Sequence, residues 1–173
     1  MRIETQMSQT KNMTNISYPD FYSAKINNLN LDEALQIHYQ INPQFTPWYE
    51  YEKGILQETM KAHDICHILF GVDTSLLGEF RVELWSIFGT NLGVVGYQKI
   101  TSNKKVLAEP LEIARKIGYL KVLRLMFINF IEVFRIPYLS SKMSKKWVCF
   151  QEEKYMQTTV GEIRKEFGVK LIL

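Results

Sequence analysis

The stretch Lys61-Ala62-His63-Asp64-Ile65-Cys66-His67-Ile68-Leu69-Phe70-Gly71 holds three potential metal ligands within five positions, and the reading of the whole chain starts from it. On a helix turning about 100° per residue, His67 lies about 40° around the axis from His63, with Asp64 beside both imidazoles. All three then share one face, the arrangement by which a helix presents a divalent metal. Imidazole with carboxylate suits zinc or iron. Ile65, Ile68, Leu69 and Phe70 make the flanking surface apolar, so the polar face points into a lined cavity. Unpartnered, a buried His–Asp–His group is costly.

Working outward, Gly71 reads as the helix C′ residue, with Val72-Asp73-Thr74 as a short turn and Asp73 or Thr74 as the next N-cap. The run 75–88 carries Leu76, Leu77, Phe80, Leu84, Ile87 and Phe88 at helical spacing. In an antiparallel helix hairpin of this register, Glu79 stands level with His67 and completes a site of two imidazoles and two carboxylates, whereas Glu83 lies a turn further off. The expected metal ligands are therefore His63, Asp64, His67 and Glu79. Zinc is expected first, with iron or magnesium as alternatives. Cys66 points off the histidine face and reads as packed.

His63-Asp64-x-x-His67 followed by eleven residues and Glu79 resembles the metal signature of the ubiquinone (coenzyme Q) biosynthesis protein four family. Ile68-Leu69-Phe70-Gly71 and Thr74 through Glu79 are similar to the family's intervening residues. The likeness extends through Ile136-Pro137-Tyr138, the Lys145-Lys146 pair and the terminal Arg164-Lys165-Glu166-Phe167-Gly168, over about the last two-thirds of the chain. Where the family has a glycine before the basic residues, this chain has Met143 or Ser144. The resemblance implies a metal-dependent role in quinone biosynthesis, in which a prenylated aromatic acid loses its ring carboxylate and gains a hydroxyl at the same carbon. A homodimer and contacts with other quinone-biosynthesis proteins are implied too. The alternative is a non-catalytic isoprenoid-lipid carrier or scaffold, and no residue is singled out as catalytic.

Nearby motifs fit less well. A zincin needs Glu at the second position of the motif, where Asp64 is too short to act as base. An HD-type phosphohydrolase needs an upstream His and a downstream Asp, for which His38 and Asp73 have little to recommend them.

The remaining chain reads as helical scaffold. At 173 residues and 46% hydrophobic it suffices for one domain with a substantial core. A net charge of +3 without a dense basic stripe argues against nucleic acid. Two cysteines fit a reducing compartment. The N-terminus has no apolar secretory segment, which suggests a cytoplasmic protein, peripherally associated with the inner face of the membrane. Residues 1–18 are polar and read as a flexible segment ahead of one helical domain over 19–173. Asn30 with Glu33 opens a helix through Tyr39, and Pro47 starts the helix that ends in the motif, with Gly54 interrupting it. Another helix starts at Pro110, and a last one spans Gln151–Phe167. The form of 91–97 is open.

Val122–Ile136 is the most apolar run. It is too short for a bilayer span of about 20 residues. It reads either as a buried core helix or as one wall of a groove in which Phe127, Phe130, Ile131 and Phe134 hold a prenyl tail. Lys142, Lys145, Lys146 and Trp147 read either as a solvated loop or as a contact with an anionic membrane. Helical patterns dominate throughout, so the expected fold is an all-α single-domain bundle with a metal-bearing hairpin and an apolar groove.

Overall fold

Local capping sets where each helix begins and ends. The computed structural model describes residues 20–104, 106, 112 and 115–172. Helix α1 spans Leu31–Ile41, opened by the expected reciprocal cap: Asn30 accepts from the Glu33 amide at 2.8 Å, and the Glu33 carboxylate accepts from the Asn30 amide at 3.0 Å. A 3-10 turn at Trp48–Glu50 follows Pro47, and α2 then runs Ile55–Phe70. The helix expected from Pro47 is thus corrected. Gly54 has φ +126°, outside helical space, so it precedes α2 rather than interrupting it.

Helix α3 spans Leu76–Phe88 and is capped by Ser75, whose hydroxyl accepts from the Gly78 amide at 3.1 Å. Asp73 and Thr74, the expected caps, are used inside the turn. Asp73 Oδ1 accepts from the Ser75 amide at 3.1 Å, and the Thr74 hydroxyl donates to Asn42 Oδ1 at 2.8 Å. The open stretch 91–97 resolves into α4, Gly93–Thr101.

The apolar run is not one helix. It divides into α5, Tyr119–Ile128, and α6, Glu132–Ser141. The break falls at Asn129, whose side-chain amide donates to the Leu125 carbonyl at 2.9 Å and so competes with the helical backbone ladder. The last helix is also shorter than expected: α7 spans Val160–Phe167, because Thr159 and Glu162 form a capping box there, and a 3-10 turn at Glu152–Tyr155 precedes it. Gly168, at φ +68°, ends it as expected. The segment 1–18 and the start of the Pro110 helix lie outside the described residues.

Helix α3 packs on α2, α4 and α6, while α2 also packs on α1 and α7. The α2–α3 pair is the centre of the bundle, with Phe70 stacked on Trp85 at 4.3 Å between ring centres. Ile65, Ile68, Leu69, Val82, Ile136, Trp147, Ile163 and Phe167 are buried around it. The described residues form no strand, only isolated bridges at Asn30–Thr159 and Thr90–Trp147. The fold is all-α. No described helix is long and apolar enough to cross a membrane.

Two expectations about the C-terminal half are overturned by burial. Helix α5 is not core: Leu120 and Phe127 are each 83% exposed, and Leu123, Ile128, Phe130, Ile131 and Phe134 are exposed as well. Trp147, read either as part of a solvated loop or as a membrane contact, is buried against Tyr155 and Phe167.

Candidate metal centre

The turn between α2 and α3 brings the ligands face to face. Gly71 adopts the left-handed conformation (φ 66°, ψ 42°) that ends α2, and the Val72 amide donates back to the His67 carbonyl at 3.0 Å. Gly78 lets the returning chain pass: a Cβ there would lie 1.9 Å from the Asp73 carbonyl oxygen. With that tight turn, Glu79 on the first turn of α3 faces His63 and His67 on α2.

The three side chains converge on one point. His67 Nε2 lies 3.1 Å from His63 Nε2 and 3.4 Å from Glu79 Oε1, and His63 Nε2 lies 3.2 Å from Glu79 Oε2. The candidate ligand atoms of these residues all fall within 4.8 Å of one another. Ligands of one tetrahedral zinc at about 2.0–2.1 Å stand about 3.3 Å apart, so these spacings match a shared ion. His67 Nδ1 faces the Val72 carbonyl at 3.0 Å, and an N–H there leaves the Nε2 lone pair aimed at the centre. Two imidazole nitrogens and a carboxylate then point acceptor groups at one another with few protons to share. The group can hold a metal ion.

Charge bears this out in the metal-free protein. Burial opposes a proton on His63, yet the hydrogen bond and charge of Glu79 override it and raise the group to about 10. Burial likewise works against ionised Glu79, but the hydrogen bond and charge of His63, with the His67 imidazole beside it, hold its carboxyl well below the usual carboxylate range. A proton on His63 fills the position a cation would take.

Asp64 stands apart from this group. Its Oδ2 accepts a hydrogen bond from the Tyr39 hydroxyl, and its Oδ1 lies 3.9 Å from His38 Nε2. The Tyr39 oxygen also accepts from the Trp48 amide at 3.1 Å. Being one residue on from His63 turns Asp64 towards α1, where these partners wait. Burial raises its carboxyl to about 6, against the pull of His63 and Tyr39. Cys66 is packed, and its thiol is pushed well up by the Cys149 thiol and by burial, so it offers no thiolate to a metal.

Residues that spacing did not single out support the site. His38 is buried, with Nδ1 3.0 Å from the Tyr22 hydroxyl and its ring centre 5.8 Å from that of His67. Burial, then the neighbouring His67 and His63, push it down to about 3, so it is a neutral imidazole. Asp73 is held in the turn, so the HD-type ligand set does not assemble. On the other flank the Tyr97 hydroxyl of α4 donates to Glu83, one turn along α3 from Glu79.

Arg164 of α7 is buried at the C-terminal end of α2, donating to the Leu69 carbonyl at 3.0 Å and the Ile68 carbonyl at 2.6 Å. It supplies the Leu69 carbonyl at the helix end with a donor and adds one to the Ile68 carbonyl, which also accepts from the Gly71 amide at 3.4 Å, in the turn that carries His67, and its charge complements the helix dipole. No local pattern links Arg164 to a carbonyl 95 residues earlier.

The expected lipid-binding residues Phe127, Phe130, Ile131 and Phe134 lie on the outer surface of α5, α6 and the turn between them. No family model, curated protein or solved structure matches the chain.

Proposed function

We propose that this is a metal-dependent quinone-biosynthesis protein whose centre at His63, His67 and Glu79 binds the polar head of a prenylated aromatic acid and supports replacement of its ring carboxylate, released as carbon dioxide, by a hydroxyl whose oxygen comes from water, the two electrons and two protons passing to an external two-electron oxidant. The observation that carries the metal is the convergence of two Nε2 atoms and a carboxylate within hydrogen-bonding distances that protons alone serve poorly. The assignment to quinone chemistry comes from the motif resemblance. Three protein ligands, with His63 and Glu79 partly open to solvent, leave coordination positions for a substrate oxygen. A divalent ion bound there supplies Lewis acidity towards a carboxylate or phenolate.

The chain's own groups do the positioning. Val72 fixes the orientation of the His67 ring, the Phe70–Trp85 stack holds α2 against α3, and Tyr39 holds Asp64 away from the centre. Asp64 and Glu83 add negative charge beside the centre, which favours a cation there.

The test is metal content, followed by binding. Protein purified without chelator should carry about one equivalent of zinc or iron, and His67→Ala should lose it while keeping its helical content. Asp64→Asn should keep the metal. The loaded protein should bind a prenylated 4-hydroxybenzoate, and the metal-free protein should not. Full metal content in His67→Ala would remove the centre; equal binding without metal would remove its role in recognising substrate.

A further inference from the structure

The outer face formed by α5 and α6 is a second, separate feature. On α5, Tyr119, Leu120, Leu123, Met126, Phe127 and Ile128 are exposed over about 200° of the helix surface, whereas Val122 and Leu125 on the opposite side are partly covered. On α6 and the turn before it, Phe130, Phe134 and Tyr138 form a second exposed stripe, with Phe130 and Phe134 in edge contact at 5.3 Å. The apolar side of α5 faces outward. Five aromatic rings, each more than half exposed, present on the order of 500 Å² before the aliphatic residues are added, at the upper end of what a monomer leaves bare.

Charge selects the occupant. From residue 113 to 151 there are eight Lys and Arg and one acid, a net of +7 in a chain whose total is +3. The one acid, Glu132, is buried and paired with Arg81 at 2.7 Å. Arg124 lies between the exposed Leu120 and Ile128 on α5, Lys121 lies at the edge of that surface beside Ile128, and Lys142 sits over the Tyr138 ring at 5.3 Å, at the end of the second stripe. A two-fold pairing of identical faces would set this basic rim against itself. A ten-residue helix is about 15 Å long, far short of a bilayer span.

We infer that α5 and α6 form a docking surface for an anionic lipid bilayer. The apolar arc of α5 and the Phe130–Phe134–Tyr138 stripe lie in the headgroup boundary, while Lys121, Arg124 and Lys142 reach lipid phosphates. Nothing in this inference depends on the metal centre.

Vesicle co-sedimentation of the full chain tests it. Vesicles of equimolar phosphatidylcholine and phosphatidylglycerol should bind the protein about tenfold or more tightly than phosphatidylcholine alone, with the difference shrinking as salt rises. Lys121→Glu with Arg124→Glu should abolish that preference. Leu123→Asp with Phe127→Asp should abolish binding to either vesicle, with an unchanged far-ultraviolet spectrum showing that the fold is kept. His67→Ala should bind vesicles normally, so the docking surface and the metal reading fail separately. The inference is overturned if the protein ignores anionic vesicles, if it binds neutral ones equally well, or if either double variant binds like the wild type. It is equally overturned if the wild type is a dimer that Leu123→Asp with Phe127→Asp converts to monomer, since a second copy would then own the face.

Discussion

The α2–α3 hairpin and the α5–α6 arm are both rich in apolar residues, yet they put them to opposite use. In the hairpin, Ile65, Ile68, Leu69, Phe70 and Trp85 are buried, and the polar face is the one that gathers His63, His67 and Glu79. In the arm, Leu120, Leu123, Phe127, Phe130 and Phe134 face outward. Apolar content alone therefore does not tell core from surface. What separates the two is the partner each helix meets: α2 is enclosed by α1, α3 and α7, whereas α6 meets α3 through Glu132, Ile136 and Ser140 and keeps its aromatic stripe outside.

The sharpest way to break the hairpin is at its narrowest point. In Gly78→Ala the new Cβ would lie 1.9 Å from the Asp73 carbonyl oxygen and 2.7 Å from its carbon, both backbone atoms that cannot step aside without opening the turn. The expected cost is about 3 kcal/mol or more, a fall in Tm on the order of 10 °C, with loss of metal binding because Glu79 is the next residue. Gly96→Ala in α4 is the control. Its Cβ would meet Leu92 at 3.4 Å, ordinary contact, and the change should be neutral or stabilising by about 0.5–1 kcal/mol. Thermal melts of the two variants, with metal content, check both.

How much of this was legible in the sequence follows the same division. The hairpin is set by short-range features: the four-residue spacing of the histidines, Gly71 at the helix end, and Glu79 a fixed distance past the turn. The capping boxes at Asn30 and Thr159 are equally local, although the helical pattern over Gln151–Phe167 extends ahead of the start that the second one sets. Asp64 was misleading for a local reason too. Its place on the helix face suits ligation, but its carboxylate is taken by Tyr39, 25 residues away in the chain. His38, Arg164 and Trp147 find their roles only through tertiary packing, which spacing does not encode. The apolar run of the α5–α6 arm admits a core helix or one wall of a groove, and neither reading places its side chains on the outer surface. Hydrophobicity does not encode which partner a helix meets, and Asn129, which breaks the run, is a single polar residue inside it.

A second prediction sharpens the hairpin's side of the comparison through pH. In the metal-free protein, with burial opposing and Glu79 prevailing, His63 is raised to about 10, while the Glu79 carboxyl stays ionised. A metal must therefore displace one proton from His63 across the neutral range. Its apparent affinity should strengthen about tenfold per pH unit and level off near pH 10. Folding of the metal-free protein should run the other way. The folded value lies above the unfolded one of 6.5, so the His63–Glu79 contribution is complete below that pH and is lost as pH rises through about 10. Zinc titrations at several pH values check the first trend. Glu79→Gln should bring the levelling-off down towards the ordinary histidine value of about 6.5.

The smallest expected effect belongs to the arm, and it is the most telling about where the chain's apolar residues are spent. A core position such as Ile68, fully buried in α2, should not tolerate aspartate, because an unpaired charge there has neither water nor a partner. Leu123→Asp with Phe127→Asp places two charges on side chains that are 62% and 83% exposed, next to Lys121 and Arg124. Water solvates them at once, and the nearby basic residues offset the added negative charge. The change in folding stability should stay within about 0.5 kcal/mol per site, a shift in Tm of only a few degrees in a chain of this length. A denaturant melt of the double variant in the absence of lipid measures this directly. A loss of several kcal/mol would mean that Leu123 and Phe127 are held inside a packed interface in solution, and the contrast drawn between hairpin and arm would fail at its second term.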